Sequence, residues 1–152
     1  MKESRRFVVK IVRKQSERRF YNMQVDHPNI IKPEEVIWNT NQYLAILPEL
    51  VALNLALDSK SLAISELQGM SHDLANGLQF LHDSGIAHMD IKPSNLVYHP
   101  KTFVLQIIDF NLAVWVKNPD DTISGRWGTL AWMAPGLYIF YTSHNNTNLI
   151  SY

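Results

Sequence analysis

Residues 88–95 read His-Met-Asp-Ile-Lys-Pro-Ser-Asn, and residues 108–111 read Ile-Asp-Phe-Asn. The two stretches place acidic groups, a lysine and an amide oxygen in loops beside a predicted hairpin. Phosphoryl transfer uses such groups, because it needs hard oxygen ligands for Mg²⁺, a cation beside the moving phosphoryl group and a carboxylate that orients the attacking hydroxyl. Charge in its transition state is spread over oxygens, so positioning and electrostatics provide most of the catalysis. The two stretches therefore predict a phosphoryl-transfer site.

A long amphipathic helix is predicted before the first stretch, from Ser65 to His82. Its apolar side chains recur at steps of three and four and so line one face: Leu67, Met70, Leu74, Leu78 and Leu81. Ser65 followed by Gln68 predicts a capping box at its start, and Gly85 predicts its end. Between the two stretches, short apolar runs at 96–98 and 103–108 predict a hairpin.

The first 50 residues predict strands with a little helix. The β-branched run Phe7–Val12, which contains Lys10, and the run Gln42–Leu47, which stops at Pro48, predict strands. Residues 16–24 predict two helical turns. Residues 111–135 show no sustained period, so we expect a long functional loop there. The order of elements predicts an α+β fold.

Composition excludes several classes of protein. The 152 residues carry 14 Lys and Arg against 14 Asp and Glu, are 46% hydrophobic and contain no cysteine. This balance is typical of a globular domain and excludes disulfide frameworks and cysteine-ligated zinc sites. No run approaches the roughly 18 apolar residues of a membrane span, and residues 1–10 lack the apolar core of a signal peptide, so we expect a cytoplasmic protein with no membrane span.

The charge is unevenly spread, although it sums to zero. Eight Lys and Arg lie between Lys2 and Arg19, opposed only by Glu3 and Glu17. We interpret this segment first as a solvated strand and helix face; a nucleic-acid or acidic-membrane patch and, after it, a transit peptide are the minor alternatives. We therefore expect no nucleic-acid partner.

The motifs resemble a eukaryotic protein kinase domain. Residues 88–95 are similar to the family's H-R-D-L-x-x-x-N catalytic loop, and residues 109–111 to its D-F-G. Residues 8–10, 27–31, 81–86 and 128–135 resemble further kinase motifs in the family's order: the end of V-A-I-K, the motif after helix αC, the end of helix αE and the end of the activation segment. The resemblance covers about residues 7–136.

The resemblance implies an incomplete two-lobe kinase fold. Residues 1–50 would form part of the small β-rich lobe, from kinase strand β3 to the hinge. Residues 51–136 would form part of the large helical lobe with helices αD and αE, the catalytic loop and the activation segment. Residues 137–152 form a tail that does not match.

The resemblance also implies roles for site residues, with ATP and Mg²⁺ as cofactors and a protein as substrate. Asp90 would orient the substrate hydroxyl and accept its proton, and Lys92 would steady the γ-phosphate. Asn95 and Asp109 would hold Mg²⁺. The Lys-Pro-x-Asn wording that begins at Lys92 resembles serine/threonine rather than tyrosine kinases.

Two further roles come from outside these loops. Lys10 would bind the α- and β-phosphates of the nucleotide, although a lysine in a strand more often extends to solvent. Thr129 would help to shape the peptide site. His88 is better explained as a structural hydrogen-bonding residue than as a metal ligand, because it has no second ligand at metal-site spacing.

The sequence departs from the family at several places. No glycine precedes Lys10, so the glycine-rich loop is not in this sequence, and Glu17 lies about one residue from the position of the glutamate that pairs with the lysine. Asn111 replaces the glycine of D-F-G, an exchange that suits a residue with positive φ. Met89 replaces an arginine that receives an activation-loop phosphate, which disfavours switching by phosphorylation. Gly136 replaces the glutamate of A-P-E.

Two functional hypotheses follow. The first is a serine/threonine protein kinase that uses ATP and Mg²⁺. The second is a non-catalytic kinase-like remnant, or truncated product, that acts by binding a partner if it acts at all. The family's large-lobe helices would lie beyond Pro135, so we expect a marginally stable chain unless a protein partner completes it.

Overall fold

The computed structural model describes residues 6–38, 42–59, 62–118, 121–124, 127–133 and 149–151. Its helices are α1 (Gln15–Asn22), α2 (Leu53–Asp58) and α3 (Ile64–Asp83). Its strands in chain order are β1 (Phe7–Ile11), β2 (Glu35–Trp38), β3 (Tyr43–Pro48), β4 (Val51–Ala52), β5 (Ile86–Ala87), β6 (Leu96–Tyr98), β7 (Leu105–Ile107), β8 (Val114–Trp115), β9 (Thr122–Ser124) and β10 (Leu149–Ser151). Short 3₁₀ turns occupy Pro93–Asn95, Phe110–Leu112 and Leu130–Trp132.

The first sheet carries Lys10. Its antiparallel strands lie in the order β1-β3-β2, and Lys10 pairs with Ala45 of the central strand. Alternate residues of β3 are buried, so one face of this sheet packs into the core that also contains Phe20 of α1. The strands predicted at 7–12 and 42–47 are confirmed to within a residue. Strand β2 was not predicted.

Helix α1 packs against this core through residues spaced three and four apart. Glu17, Phe20 and Tyr21 are its buried residues and lie on one face. The helix lies within the predicted range 16–24 except that it begins one residue earlier, at Gln15. Its first turn therefore contains Glu17, which is important for the site.

Helix α3 is the predicted amphipathic helix. Met70 and Leu81 are buried, and Leu74 and Leu78 pack against the same core, which confirms the predicted apolar face. The helix approaches β7 closely at Gly77, where a Cβ atom would lie 2.9 Å from the side chain of Ile107. This contact fixes the hairpin against the helix.

The ends of α3 correct one prediction and confirm another. The capping box expected at Ser65 is wrong: the helix begins earlier, and the Glu66 carboxylate accepts a hydrogen bond of 2.7 Å from the main-chain N–H of Ala63. A carboxylate in the first turn is also favoured by the helix dipole. The predicted stop is confirmed, because Gly85 follows the helix with φ +66°.

The second region is built around the predicted hairpin, which is confirmed. Strands β6 and β7 pair antiparallel with Leu96 opposite Ile107, and β4 adds to β6. Ile107 also forms a parallel bridge with Ile30, so the hairpin contacts the loop that precedes β2. Because Leu96 begins β6 and Ile107 ends β7, the loop entering β6 and the turn leaving β7 lie at the same end of the hairpin.

The architecture confirms an α+β fold. A three-stranded sheet, β1-β3-β2, is followed in the chain by α3, the longest of the described helices. In the described part of residues 111–135, the expected loop contains only short 3₁₀ turns and strands, and β9 pairs with β10. The division of the chain at residues 50 and 136 stays a prediction. Among the described helices, none has both the length and the apolar character needed to cross a membrane.

Candidate active site

The two predicted stretches lie side by side. Asp90 and Asn95 lie in the loop between β5 and β6, and Asp109 follows β7. The main-chain N–H of Ile108 donates to the main-chain oxygen of Asn95 over 3.0 Å. The loop that carries Asp90 and the turn that carries Asp109 are therefore joined directly, as the sequence predicted.

Three side chains hold the carboxylate of Asp90. Lys92 Nζ lies 2.7 Å from Asp90 Oδ2, and Asn95 Nδ2 donates to the same oxygen over 3.0 Å. Thr129 Oγ1 donates to the other oxygen, Oδ1, over 2.8 Å and accepts a hydrogen bond of 2.7 Å from Lys92 Nζ. Four residues that the sequence predicted as site residues, Asp90, Lys92, Asn95 and Thr129, therefore form one cluster.

These contacts set the charge of Asp90. Burial raises the pKa of this carboxyl, but hydrogen bonds from Lys92, Thr129 and Asn95 and the charge of Lys92 outweigh burial, so its pKa lies below the ordinary value. Asp90 is therefore ionised at neutral pH. An ionised carboxylate can accept a hydrogen bond from an incoming hydroxyl group.

His88 connects the loop that carries Asp90 to the turn that carries Asp109 through hydrogen bonds. It is buried, its Nε2 lies 2.9 Å from the main-chain oxygen of Ile108, and its Nδ1 accepts a hydrogen bond of 3.2 Å from the N–H of Asp90. These partners require a neutral ring with the proton on Nε2. Burial, the largest influence, lowers the pKa of His88, in agreement with a neutral ring. The structural role predicted for His88 is confirmed.

Lys10 connects the first sheet to both α1 and the turn after β7. Its Nζ lies 2.5 Å from Glu17 Oε1 and 3.1 Å from Asp109 Oδ1. The side chain of Glu17 is fully buried, and its Oε1 also accepts a hydrogen bond of 3.2 Å from the hydroxyl of Tyr21. The offset of one residue noted in the sequence does not prevent this contact, because Glu17 falls in the first turn of the helix. Glu17 is therefore the partner of Lys10.

An aromatic stack joins α1 to the turn after β7 and, through His88, to the loop that carries Asp90. The rings of Phe20 and Phe110 are parallel within 7°, with centroids 3.4 Å apart. The ring of His88 meets Phe110 edge to face, with centroids 5.0 Å apart. Sequence reasoning did not identify Phe20. The only sequence signal for its role was an aromatic residue three positions after Glu17, on the buried face of the helix.

The backbone of the turn after β7 differs from the expectation. The residue with positive φ is Asp109, at +69°, whereas Asn111 lies within the 3₁₀ turn Phe110–Leu112 and has no positive φ. The proposed reason for an asparagine at position 111 was therefore wrong. Its side chain donates to Asp109 Oδ1 over 2.5 Å, so it contributes a hydrogen bond to the site.

A close backbone contact positions Thr129. Gly128 has φ +86°, and a Cβ atom there would lie 2.8 Å from the main-chain oxygen of Met89. Only glycine combines this conformation with such an approach. The peptide segment that carries Thr129 can therefore lie directly against the loop that carries Asp90.

The donor groups fit Mg²⁺ held together with phosphates. Asn95 and Asp109 supply an amide and a carboxylate, which are hard oxygen ligands. Within the described residues, no three His, Cys, Asp or Glu side chains form a metal-binding group. Mg²⁺ in proteins is commonly bound by one or two carboxylates together with substrate phosphates, which suits this set better than a metal centre built from protein alone.

Comparison with known families places the chain. The sequence model described as Protein kinase domain matches residues 1–148. The chain belongs to this family. The family resemblance and the partial kinase fold expected from the motifs are thereby confirmed.

Known kinases match most of the chain. It is 29% identical over 134 residues to "Protein kinase MCK1" of Saccharomyces cerevisiae, which covers 78% of this chain and 36% of the yeast protein. It is 35% identical over 116 residues to "Calcium/calmodulin-dependent protein kinase kinase" of Caenorhabditis elegans, covering 74% of this chain and 21% of that protein. A solved chain of the yeast RNA Pol II CTD kinase CTDK-1 complex superposes with a TM-score of 0.67 at 25% identity, covering 82% of this kinase-family chain and 44% of the yeast chain.

The kinase-family chain therefore spans about a third of the length of the yeast relative and about a fifth of that of the nematode relative. Family membership supports phosphotransferase chemistry as a class, since protein kinases transfer phosphoryl groups. The cytoplasmic location stays a prediction.

Proposed function

We propose that this chain carries the catalytic loop and metal-binding turn of a protein serine/threonine kinase, which transfers the γ-phosphoryl group of ATP to a protein hydroxyl group. The observation that supports it most directly is the Asp90 cluster: Lys92, Asn95 and Thr129 hold one ionised carboxylate beside the turn that carries Asp109.

In this proposal Asp90 orients the acceptor hydroxyl and accepts its proton. Its lowered pKa keeps it ionised, and Thr129 and Asn95 fix the carboxylate from its two oxygens. Lys92, whose ammonium group contacts both Asp90 and Thr129, would steady the γ-phosphate. Orientation of this kind lowers the entropy cost of bringing the reactants together.

Lys10, Asn95 and Asp109 would bind the nucleotide and its metal. Lys10 is held by Glu17, and its ammonium group would bind the α- and β-phosphates. Asn95 and Asp109 would hold Mg²⁺. The metal would supply positive charge that neutralises the phosphate oxygens. Preference for serine and threonine is supported by the Lys-Pro-x-Asn wording at residues 92–95.

Transfer of labelled phosphate tests this proposal. The chain would be incubated with γ-labelled ATP, Mg²⁺ and a generic protein substrate, and compared with Asp90→Asn and with Asp58→Asn, an exposed aspartate at the end of α2. We expect incorporation on serine and threonine with the wild type and Asp58→Asn, and at least a hundredfold less with Asp90→Asn. Circular dichroism would verify that all three proteins are folded.

Equal, background incorporation by wild type and Asp90→Asn would reject transfer by this polypeptide. That outcome would favour the second candidate, a non-catalytic kinase-like protein that acts by binding a protein partner. The departure from the family at Met89 is the observation that favours it. Incorporation on tyrosine alone would contradict the serine/threonine part of the proposal.

A further inference from the structure

Asn111 makes two contacts that a glycine at its position could not make together. Its side-chain amide donates to Asp109 Oδ1 over 2.5 Å. Its main-chain oxygen accepts a hydrogen bond of 2.6 Å from the hydroxyl of Ser16, the second residue of α1. The residue therefore bonds both to the expected metal ligand and to the helix.

These contacts close a ring of five residues. Ser16 precedes Glu17 in the chain, Glu17 binds Lys10, Lys10 binds Asp109, Asp109 binds Asn111, and Asn111 binds Ser16. Lys10 and Asn111 both donate to the same oxygen of Asp109, Oδ1. The other oxygen, Oδ2, is therefore the one we expect to face a cation.

We propose that Asn111 and Ser16 are positioning residues that bind α1 to the Asp109 carboxylate, so that the helix and the metal-binding carboxylate hold one arrangement together. That Asp109 binds a metal ion rests on the proposed function. The stack of Phe20 on Phe110 joins the same two elements through apolar contact. The hydrogen-bonded ring of five residues adds direction to this apolar contact. Hydrogen bonds fix the orientation of a carboxylate, whereas stacking of aromatic side chains does not.

The hydrogen-bonded ring predicts that substitutions at Ser16 and Asn111 have coupled effects. If Ser16 and Asn111 belong to one closed ring, opening it at either position releases the same constraint. The effects of two such changes are then strongly non-additive, whereas independent contacts add. The φ of Asn111 is not positive, so alanine fits its backbone.

Hydrogen exchange of the α1 amides, without nucleotide, tests the ring. We would compare Ser16→Ala, Asn111→Ala, the double variant, the conservative variant Ser16→Thr, and a control, Ser71→Ala. Ser71 also donates its hydroxyl to a main-chain oxygen, that of Leu67, over 2.8 Å, but on the exposed side of α3. Because a lost hydrogen bond is worth about 1 kcal/mol, each single alanine variant should exchange about fivefold faster at the amides of residues 18–22, which follow the first hydrogen bond of the helix, from the Arg18 N–H to the main-chain oxygen of Lys14.

The double variant should exchange within about twofold of the single variants, and Ser16→Thr and Ser71→Ala should match the wild type. Protection of α1 that is unchanged in Ser16→Ala and Asn111→Ala would overturn the ring. So would an increase of about 25-fold in the double variant, since this is the result for independent contacts.

A second readout tests the link to the metal. At saturating ATP, the Mg²⁺ concentration that gives half of the rise in thermal midpoint should be about tenfold higher for Asn111→Ala than for wild type. An unchanged concentration would overturn the positioning role. If the wild type shows no rise at all, the proposed function fails, and the ring is then decided by hydrogen exchange alone, which needs no nucleotide.

Discussion

Replacing Lys10 by methionine should destabilise the fold by leaving Glu17 as a buried charge without its cation. The side chain of Glu17 is 0% exposed, whereas that of Lys10 is 28% exposed. Among the described residues, Glu17 Oε2 has no hydrogen-bond partner, and after the change only the hydroxyl of Tyr21 would still bind Oε1. The variant therefore removes one partner of a buried ion pair and leaves Glu17 without a cation.

The magnitude follows from this geometry. Removing one member of a buried ion pair costs about 3–5 kcal/mol, and the partial exposure of Lys10 places the effect at about 3 kcal/mol. For a chain of this size that corresponds to a fall in thermal midpoint of about 6–12 °C. The further change Glu17→Gln removes the unpaired buried charge, so the double variant should recover about 2 kcal/mol of the free energy of unfolding.

Urea denaturation of the wild type, Lys10→Met and Lys10→Met/Glu17→Gln measures these values. Lys32→Met is the matched control, because it breaks an exposed ion pair with Asp26, in which the side chains are 53% and 85% exposed, and should cost less than about 1 kcal/mol. A double variant that is less stable than Lys10→Met would refute the reasoning. It would mean that Glu17 contributes to the fold through contacts other than its charge pair with Lys10.

Two further predictions concern stability. Burial lowers the pKa of His88, whose ordinary value is 6.5, so the free energy of unfolding should fall as pH drops below about 6.5, where the unfolded chain gains a proton at His88 that the folded chain does not bind. Urea titrations at pH 5 to 8 should show a flatter profile for His88→Phe than for the wild type. Gly85→Ala should cost about 2 kcal/mol, because its φ is +66° and the new Cβ would lie 2.7 Å from a main-chain oxygen. Gly69→Ala, in a helix with nothing within 4 Å of the new atom, should instead stabilise by up to about 1 kcal/mol; the opposite order of the two midpoints would contradict this account.

The sequence predicted the parts of the fold that local periodicity determines. The apolar spacing in α3 and the β-branched runs of β1 and β3 correspond to observed elements. Strand β2 was missed because all four of its residues are exposed, so Glu-Val-Ile-Trp carries no alternation between a buried and a solvent face. It pairs with β3 through main-chain hydrogen bonds that composition does not reveal.

For the site, too, the sequence predicted the residues that local motifs identify and missed contacts between distant residues. Motifs identified Asp90 and Asp109 because their spacing is local and their chemistry is specific. Counting along the chain could not decide whether Glu17 meets Lys10, since the answer depends on where α1 begins. The bond from Ser16 to Asn111 joins residues 95 positions apart, and such contacts exist only after the core has brought the elements together.

The most direct test of the central claim is whether ATP with Mg²⁺ binds through Asp109. We expect a nucleotide present at about a hundred times its dissociation constant to stabilise the wild type by about 2.7 kcal/mol, which raises the thermal midpoint by about 5–11 °C. Asp109→Asn should lose most of this rise, while Asp58→Asn should retain it. A wild type that shows no rise, or an Asp109→Asn variant that shows the full rise, would contradict the account.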